Sequence, residues 1–199
     1  MGEDKKEKII LATLELAAER GLGNVSMNMI ADRVGVRKAS LYNHFSSKEE
    51  LVGEMYRFLR GRAKGQAHTP VIDYGMLFDG RTAKDILKLA VGEYIRMSSR
   101  GELFTFYKVI YSERSIQPMA AKIMAEETEK MILATKQLFY AMAVHRLLHF
   151  KNADMSAVSF AMTVHGLIDY GLDLNADEPD HGLLYSYIDW FCDENTVKE

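Results

Sequence analysis

Residues 26 to 51 read SMNMIADRVGVRKASLYNHFSSKEEL, and this stretch constrains the chain more than any other. Ser26 carries a side-chain oxygen suited to an orphan backbone N–H at a helix start. Ile30 and Val34 are four apart and share a helix face. Val34-Gly35-Val36 is a short glycine turn of the kind that joins two helices at a steep angle. A second short helix follows, with Leu41 and Phe45 on its inner face. Its other positions hold Arg37, Lys38, Ser40, Tyr42, Asn43 and His44. A basic, hydroxylated and aromatic outer face is what contact with phosphates and base edges in a major groove requires. The pattern predicts a helix-turn-helix. The bland alternative is a helical hairpin with a charged, solvated face; the turn, the helix lengths and the Tyr-x-His string together favour the first reading.

Ile30-Ala31, Val34-Gly35-Val36, the string Leu41-Tyr42-Asn43-His44-Phe45, Lys48 and Leu51 resemble the DNA-binding domain of the TetR family of transcriptional repressors. The resemblance covers the first 60 or so residues; beyond them only helical pattern and overall length agree. It implies a domain that binds a palindromic operator as a homodimer. It also implies an all-helical C-terminal domain that dimerises and binds an inducer. Three positions depart from the family pattern. Arg37 stands where Ser or Thr often caps the recognition helix, Ala39 where Gly or Pro is common, and Met27 where a small hydroxyl residue often contacts the DNA backbone.

The segment's outer residues take the following expected roles. Lys38 and Ser40, near the start of the recognition helix, face base edges. Arg37 reaches phosphate or guanine. Tyr42 and His44 hydrogen-bond phosphates and fix register, with Asn43 beside them. Lys48 grips a phosphate, helped by backbone N–H groups at the start of the next helix. Asn28 is a lesser candidate from the preceding helix.

Composition agrees with an all-α fold. Hydrophobic residues make up 48% and only three prolines occur, and no stretch alternates in the manner of a strand. The net charge of -3 excludes a bulk nucleic-acid binder. Its distribution is uneven: up to Arg62 there are 11 basic and 9 acidic residues, against 14 and 19 in the remainder. The small basic excess therefore falls with the helix-turn-helix. Cys192 is the single cysteine, so an intrachain disulfide is impossible, which fits a reducing compartment. No apolar run is long enough to span a membrane, and Glu15 and Glu19 interrupt the N-terminal apolar stretch. The expected protein is soluble and cytoplasmic, with no membrane partner.

Periodicity predicts helices over 5–20, 26–34, 38–45, 47–62, 82–100, 102–112, 118–150, 154–174 and 183–193, with Ser47 and Glu50 forming a capping box. Residues 64–81 read as an irregular loop. The expected domains are 1–47 for DNA binding, 48–63 as a connecting helix, and 64–199 as the larger helical domain for ligand binding and dimerisation. Tyr94, Met97, Phe104, Tyr107, Tyr111, Met131 and His165 are candidates to line a pocket for a small, mainly apolar inducer. Each one alone reads more readily as ordinary core. Val158, Ala161, Met162, Gly166, Tyr187, Ile188 and Phe191 are candidates for the dimer interface. His145 and His149 are spaced as metal ligands on one helix face, but no third ligand accompanies them, so no metal and no cofactor is expected. There is no nucleophile elbow and no phosphate-cradling glycine loop, which argues against an enzyme. The leading function is a ligand-responsive repressor. The alternatives are a helix-turn-helix regulator without a small ligand, or an activator.

Overall fold

The computed structural model describes residues 2–66, 74–98, 101–174 and 181–197. All regular structure among them is helical. Helix α1 spans Gly2–Arg20, followed by a 3-10 turn at Leu22–Asn24, α2 at Met27–Val34, α3 at Lys38–Tyr42 and α4 at Lys48–Gln66. Then come α5 at Tyr74–Phe78, α6 at Ala83–Ser98, α7 at Gly101–Glu113, α8 at Pro118–Val144, α9 at Ala153–Leu174 and α10 at Gly182–Glu194.

The chain forms two compact units, residues 1–69 with 97–126, and residues 70–96 with 127–199. In the first, α1 buries Ile9, Ile10, Leu14, Leu16 and Ala17 against Ile30, Leu41, Phe45, Leu51 and Met55. Helix α7 belongs to this same core. Leu103, Phe106, Val109 and Ile110 recur at helical spacing and are buried there, and α7 packs on α1, α4 and the 3-10 turn. The division expected from sequence, at residues 47 and 63, therefore differs from the one observed. The reason is physical: the apolar stripe of α7 matches the one that α1 and α4 leave uncovered. The Phe106 ring stacks on Tyr56 at 5.9 Å.

In the second unit, Ile86, Leu87 and Val91 of α6 pack with Phe139 and Met142 of α8, Phe160 and Val164 of α9, and Ile188 and Phe191 of α10. Its centre is aromatic: Phe139 lies 4.6 Å from Phe150, 5.4 Å from Phe160 and 5.5 Å from Phe191 between ring centroids. Lys84 reaches Asp193 at 2.7 Å and Lys88 reaches Asp189 at 2.6 Å, joining α6 to α10 at the surface, where such pairs add little stability.

Side-chain caps start several of the helices. Thr82 and Asp85 form a reciprocal box, Asp85 N–H donating to Thr82 Oγ1 at 3.2 Å and Thr82 N–H to Asp85 Oδ2 at 3.0 Å. Asn152 caps α9 by accepting from Met155 N–H at 3.0 Å. Helix α8 stops at Val144, short of the expected residue 150. Arg146 adopts a φ of 56°, and Leu147 N–H closes back on Met142 O at 2.9 Å, a left-handed stop. His145 and His149 therefore do not share a helix face, and His149 N–H donates to Asn195 O at 2.8 Å. This removes the geometric basis for pairing them as metal ligands. Among the described residues, no group of three or more potential ligands could hold a metal ion. Among the same residues, no helix is long and apolar enough to cross a membrane. The loop expected over 64–81 contains α5, with Phe78 buried, while residues 67–73 lie outside the described residues.

Candidate nucleic-acid interface

The interface is built on a rigid two-helix corner. Ser26 starts α2 by accepting from Met29 N–H at 3.3 Å. Met27, instead of facing outward, is buried in the core. Gly35 ends α2 with φ 73° and ψ 34°. This left-handed geometry lets Val36 N–H reach Ala31 O at 2.9 Å and Gly35 N–H reach Asp32 O at 3.2 Å, satisfying carbonyls that would be orphaned at the helix end. Arg33 secures α2 to α1 through Glu19 at 2.9 Å and Glu15 at 3.4 Å. The hydrogen bond from Arg33 lowers the pKa of Glu19 and raises that of the guanidinium.

Helix α3 is shorter than expected, ending at Tyr42, although the chain continues as a turn in which Phe45 N–H still bonds Leu41 O at 3.0 Å. Arg37 starts it with extended backbone and no side-chain cap. The two apolar residues fasten it: Leu41 is 0% and Phe45 1% exposed. Everything else turns outward. Arg37, Lys38, Ala39, Tyr42 and Asn43 are exposed, and Ser40 and His44 half-buried. Lys38 Nζ stands 5.8 Å from the Tyr42 ring centroid, so the two side chains present charge and hydroxyl together. Asn28 is exposed on α2. The structure thus brings Arg37, Lys38, Ser40, Tyr42, Asn43 and His44 into one short exposed segment on a buried two-residue anchor. That segment offers donors to a phosphate backbone and to base edges.

Lys48 is placed differently from the expectation of an outward phosphate grip. Its ammonium donates to Leu22 O at 3.0 Å and Val25 O at 3.1 Å. Ser47 caps α4 by accepting from Glu50 N–H at 3.1 Å. Glu50 reaches back not to Ser47 but to Ser46, accepting from its N–H at 2.6 Å and its hydroxyl at 2.5 Å. These bonds, the hydroxyl first, hold the Glu50 carboxyl below its ordinary pKa.

The seven expected pocket residues do not fall in one unit. Phe104, Tyr107 and Tyr111 belong to the first, and Tyr94, Met131 and His165 to the second. The side chain of Met97 lies outside the described residues. Tyr107 Oη accepts from Arg60 Nη1 at 3.0 Å, an α4–α7 bond. The Arg114 guanidinium covers the Tyr111 ring at 3.5 Å. His165 stands 3.7 Å from Asp169. Several of these side chains are thus engaged in contacts within their own unit.

The expected interface residues divide as well. Ile188 and Phe191 are buried in the second unit's own core, and Ala161 is buried as well. Val158 and Tyr187 are half-buried, while Met162 and Gly166 are exposed. Sequence reasoning missed Met155, Tyr170 and Leu183, which are 60%, 52% and 57% exposed, beside Trp190 at 56%. The seven-residue spacing of Met155 to Met162 and Leu183 to Trp190 carries that signal.

Residues 9–55 match the model of the bacterial regulatory proteins of the tetR family. Over 48 residues the chain is 52% identical to the transcriptional repressor KstR2 of Mycobacterium tuberculosis, covering 22% of this chain and 24% of that one. Over 49 residues it is 43% identical to the transcriptional activator FasR of Mycolicibacterium smegmatis, covering 25% and 22%. The matched stretches thus span about a quarter of these relatives' lengths. The fold is similar to that of the flavonoid-responsive regulator FrrA over 99% of this chain and 100% of that one, with a TM-score of 0.72 and 23% identity. These proteins are regulators and not enzymes. Residues 9–55 are thus similar in sequence to the DNA-binding domain of tetR-family regulators, and the fold is similar over the whole length to that of a regulator of known structure.

Proposed function

We propose that this chain is a cytoplasmic, ligand-responsive repressor that binds a palindromic operator as a homodimer and is released by a small, mainly apolar inducer. The observation that carries the DNA-binding part is the outward face of α3: Arg37, Lys38, Tyr42 and Asn43 exposed on a helix anchored by buried Leu41 and Phe45. One such short helix reads few base pairs, and a two-fold dimer doubles the contacts. Exposed Met155, Met162, Tyr170, Leu183 and Trp190 on α9 and α10 supply apolar surface for a second copy. Half-buried Tyr94, Met131 and His165 of the second unit remain candidates for inducer contact. The name of FrrA supports a small-molecule response in this fold. Inducer and operator would then weaken each other's binding by the same factor.

A second reading is favoured by one observation. FasR, 43% identical over 49 residues, is an activator, and contacts to DNA do not fix the sign of regulation. Selection of binding sites from random duplexes tests the proposal. Recovery of a palindrome supports it, and binding without base preference refutes it. A promoter fusion reports the sign.

A further inference from the structure

The segment that carries the reading face begins at Ser26 and ends at Ser47. Val25 lies immediately before it and Lys48 immediately after. The Lys48 ammonium donates to Val25 O at 3.1 Å and to Leu22 O at 3.0 Å, across 23 and 26 residues of chain. One side chain therefore joins the two ends of the helix-turn-helix. Its partners cannot drift away, because their turn is backed by α7 and the corner after it. A Cβ at Gly21 would stand 2.8 Å from Glu113 Oε1, and one at Gly23 would stand 3.1 Å from Gln117 Nε2. The start of α4 is also engaged internally, with Glu50 N–H on Ser47 and Ser46 N–H on Glu50.

From this geometry we infer that Lys48 is a positioning residue rather than a phosphate ligand. Its ammonium clasps both ends of the helix-turn-helix and so fixes the direction in which α3 presents Arg37, Lys38, Tyr42 and Asn43. The consequence for DNA rests on the function proposed above; the clasp does not.

The two roles separate by salt dependence. A phosphate contact releases a counterion, so its loss shallows the slope of log affinity against log salt by about 0.9. A clasp holds nothing on the DNA, so its loss leaves the slope alone. The experiment measures Tm and affinity for a short random-sequence duplex between about 50 and 200 mM salt, for wild type, Lys48→Met and Arg37→Ala. Lys48→Met keeps the aliphatic stem and removes the donors. It is expected to lower Tm by roughly 5 °C and to weaken binding several-fold at unchanged slope. Arg37→Ala is expected to do the reverse, with Tm kept and slope reduced. A Lys48→Met protein with wild-type Tm overturns the inference, as does a slope shallower by about 0.9, or a lowered Tm with undiminished affinity. If Lys48→Met does not fold, the clasp is supported, and Lys48→Gln, which retains an N–H donor, supplies the slope. A wild type that ignores the duplex would refute the proposed function instead, and the Tm comparison would still decide the clasp.

Discussion

Replacing Gly35 with alanine isolates the backbone strain of the turn from every packing effect. Gly35 sits at φ 73° and ψ 34°, and a Cβ built there meets nothing within 4 Å. The substitution therefore creates no clash with a neighbour. What remains is the cost of holding an L-residue in the left-handed region, about 1–2 kcal/mol. Alanine also stiffens the unfolded chain, which offsets about 0.4–1 kcal/mol. The net loss is about 1 kcal/mol, a Tm drop of roughly 2–4 °C in a chain of this size. Asparagine tolerates the left-handed region better than alanine, so Gly35→Asn is expected to lose less. Thermal unfolding followed by circular dichroism reads all three proteins. A Gly35→Ala Tm equal to or above wild type would refute the reasoning, and so would Gly35→Asn being the worse of the two. Gly21 is the contrast, since a side chain there adds a 2.8 Å approach to Glu113 Oε1 to a φ of 79°. Its alanine variant is expected to lose more.

Leu41 and Tyr42 are adjacent but face opposite ways, so Leu41→Ala is expected to cost about 2–5 kcal/mol of stability, whereas Tyr42→Phe leaves Tm unchanged and weakens DNA binding at every sequence; denaturation and anisotropy titrations separate them. Glu50 has its carboxyl pKa lowered in the fold, so its contribution is present above the unfolded value near 4.5 and lost as pH falls through the lower folded value. Below about pH 4.5 the Tm of wild type is expected to fall more steeply than that of Glu50→Gln, and parallel curves would contradict this. Cys192 is buried and its thiol is raised to about 11 by that burial. Native protein at pH 8 is therefore expected to resist an aromatic disulfide reagent that labels it fast after unfolding, as absorbance will show. Trp190→Arg is expected to convert a dimer to monomer in sedimentation without changing the helical signal; an unchanged dimer would place the interface elsewhere.

What the sequence made legible was local. Ser26, Gly35, Thr82 and Pro118 act within a few residues, so helix starts and stops could be read from them, and the exposed positions of α3 followed from two buried ones. What it hid depends on partners distant in the chain. Nothing local shows that the stripe from Leu103 to Ile110 packs on α1, or that Lys48 turns inward to Leu22 and Val25. Helix α6 illustrates the same limit. Leu89 is 42% exposed, while its neighbours Leu87 and Val91 are buried. The α6 face was selected by the layer formed with α8 and α10. Arg146 is hidden for another reason: a left-handed arginine gives no glycine signal, so α8 read as six residues longer than it is.

The central claim is that the exposed face of α3 reads DNA bases. The most direct measurement is a selection from random duplexes run side by side on wild type and on a Lys38→Ala, Ser40→Ala double variant. The expected result is a palindrome for wild type and, for the variant, altered preference at matching positions of both half-sites. Recovery of the same palindrome with the same preferences by both proteins would contradict it.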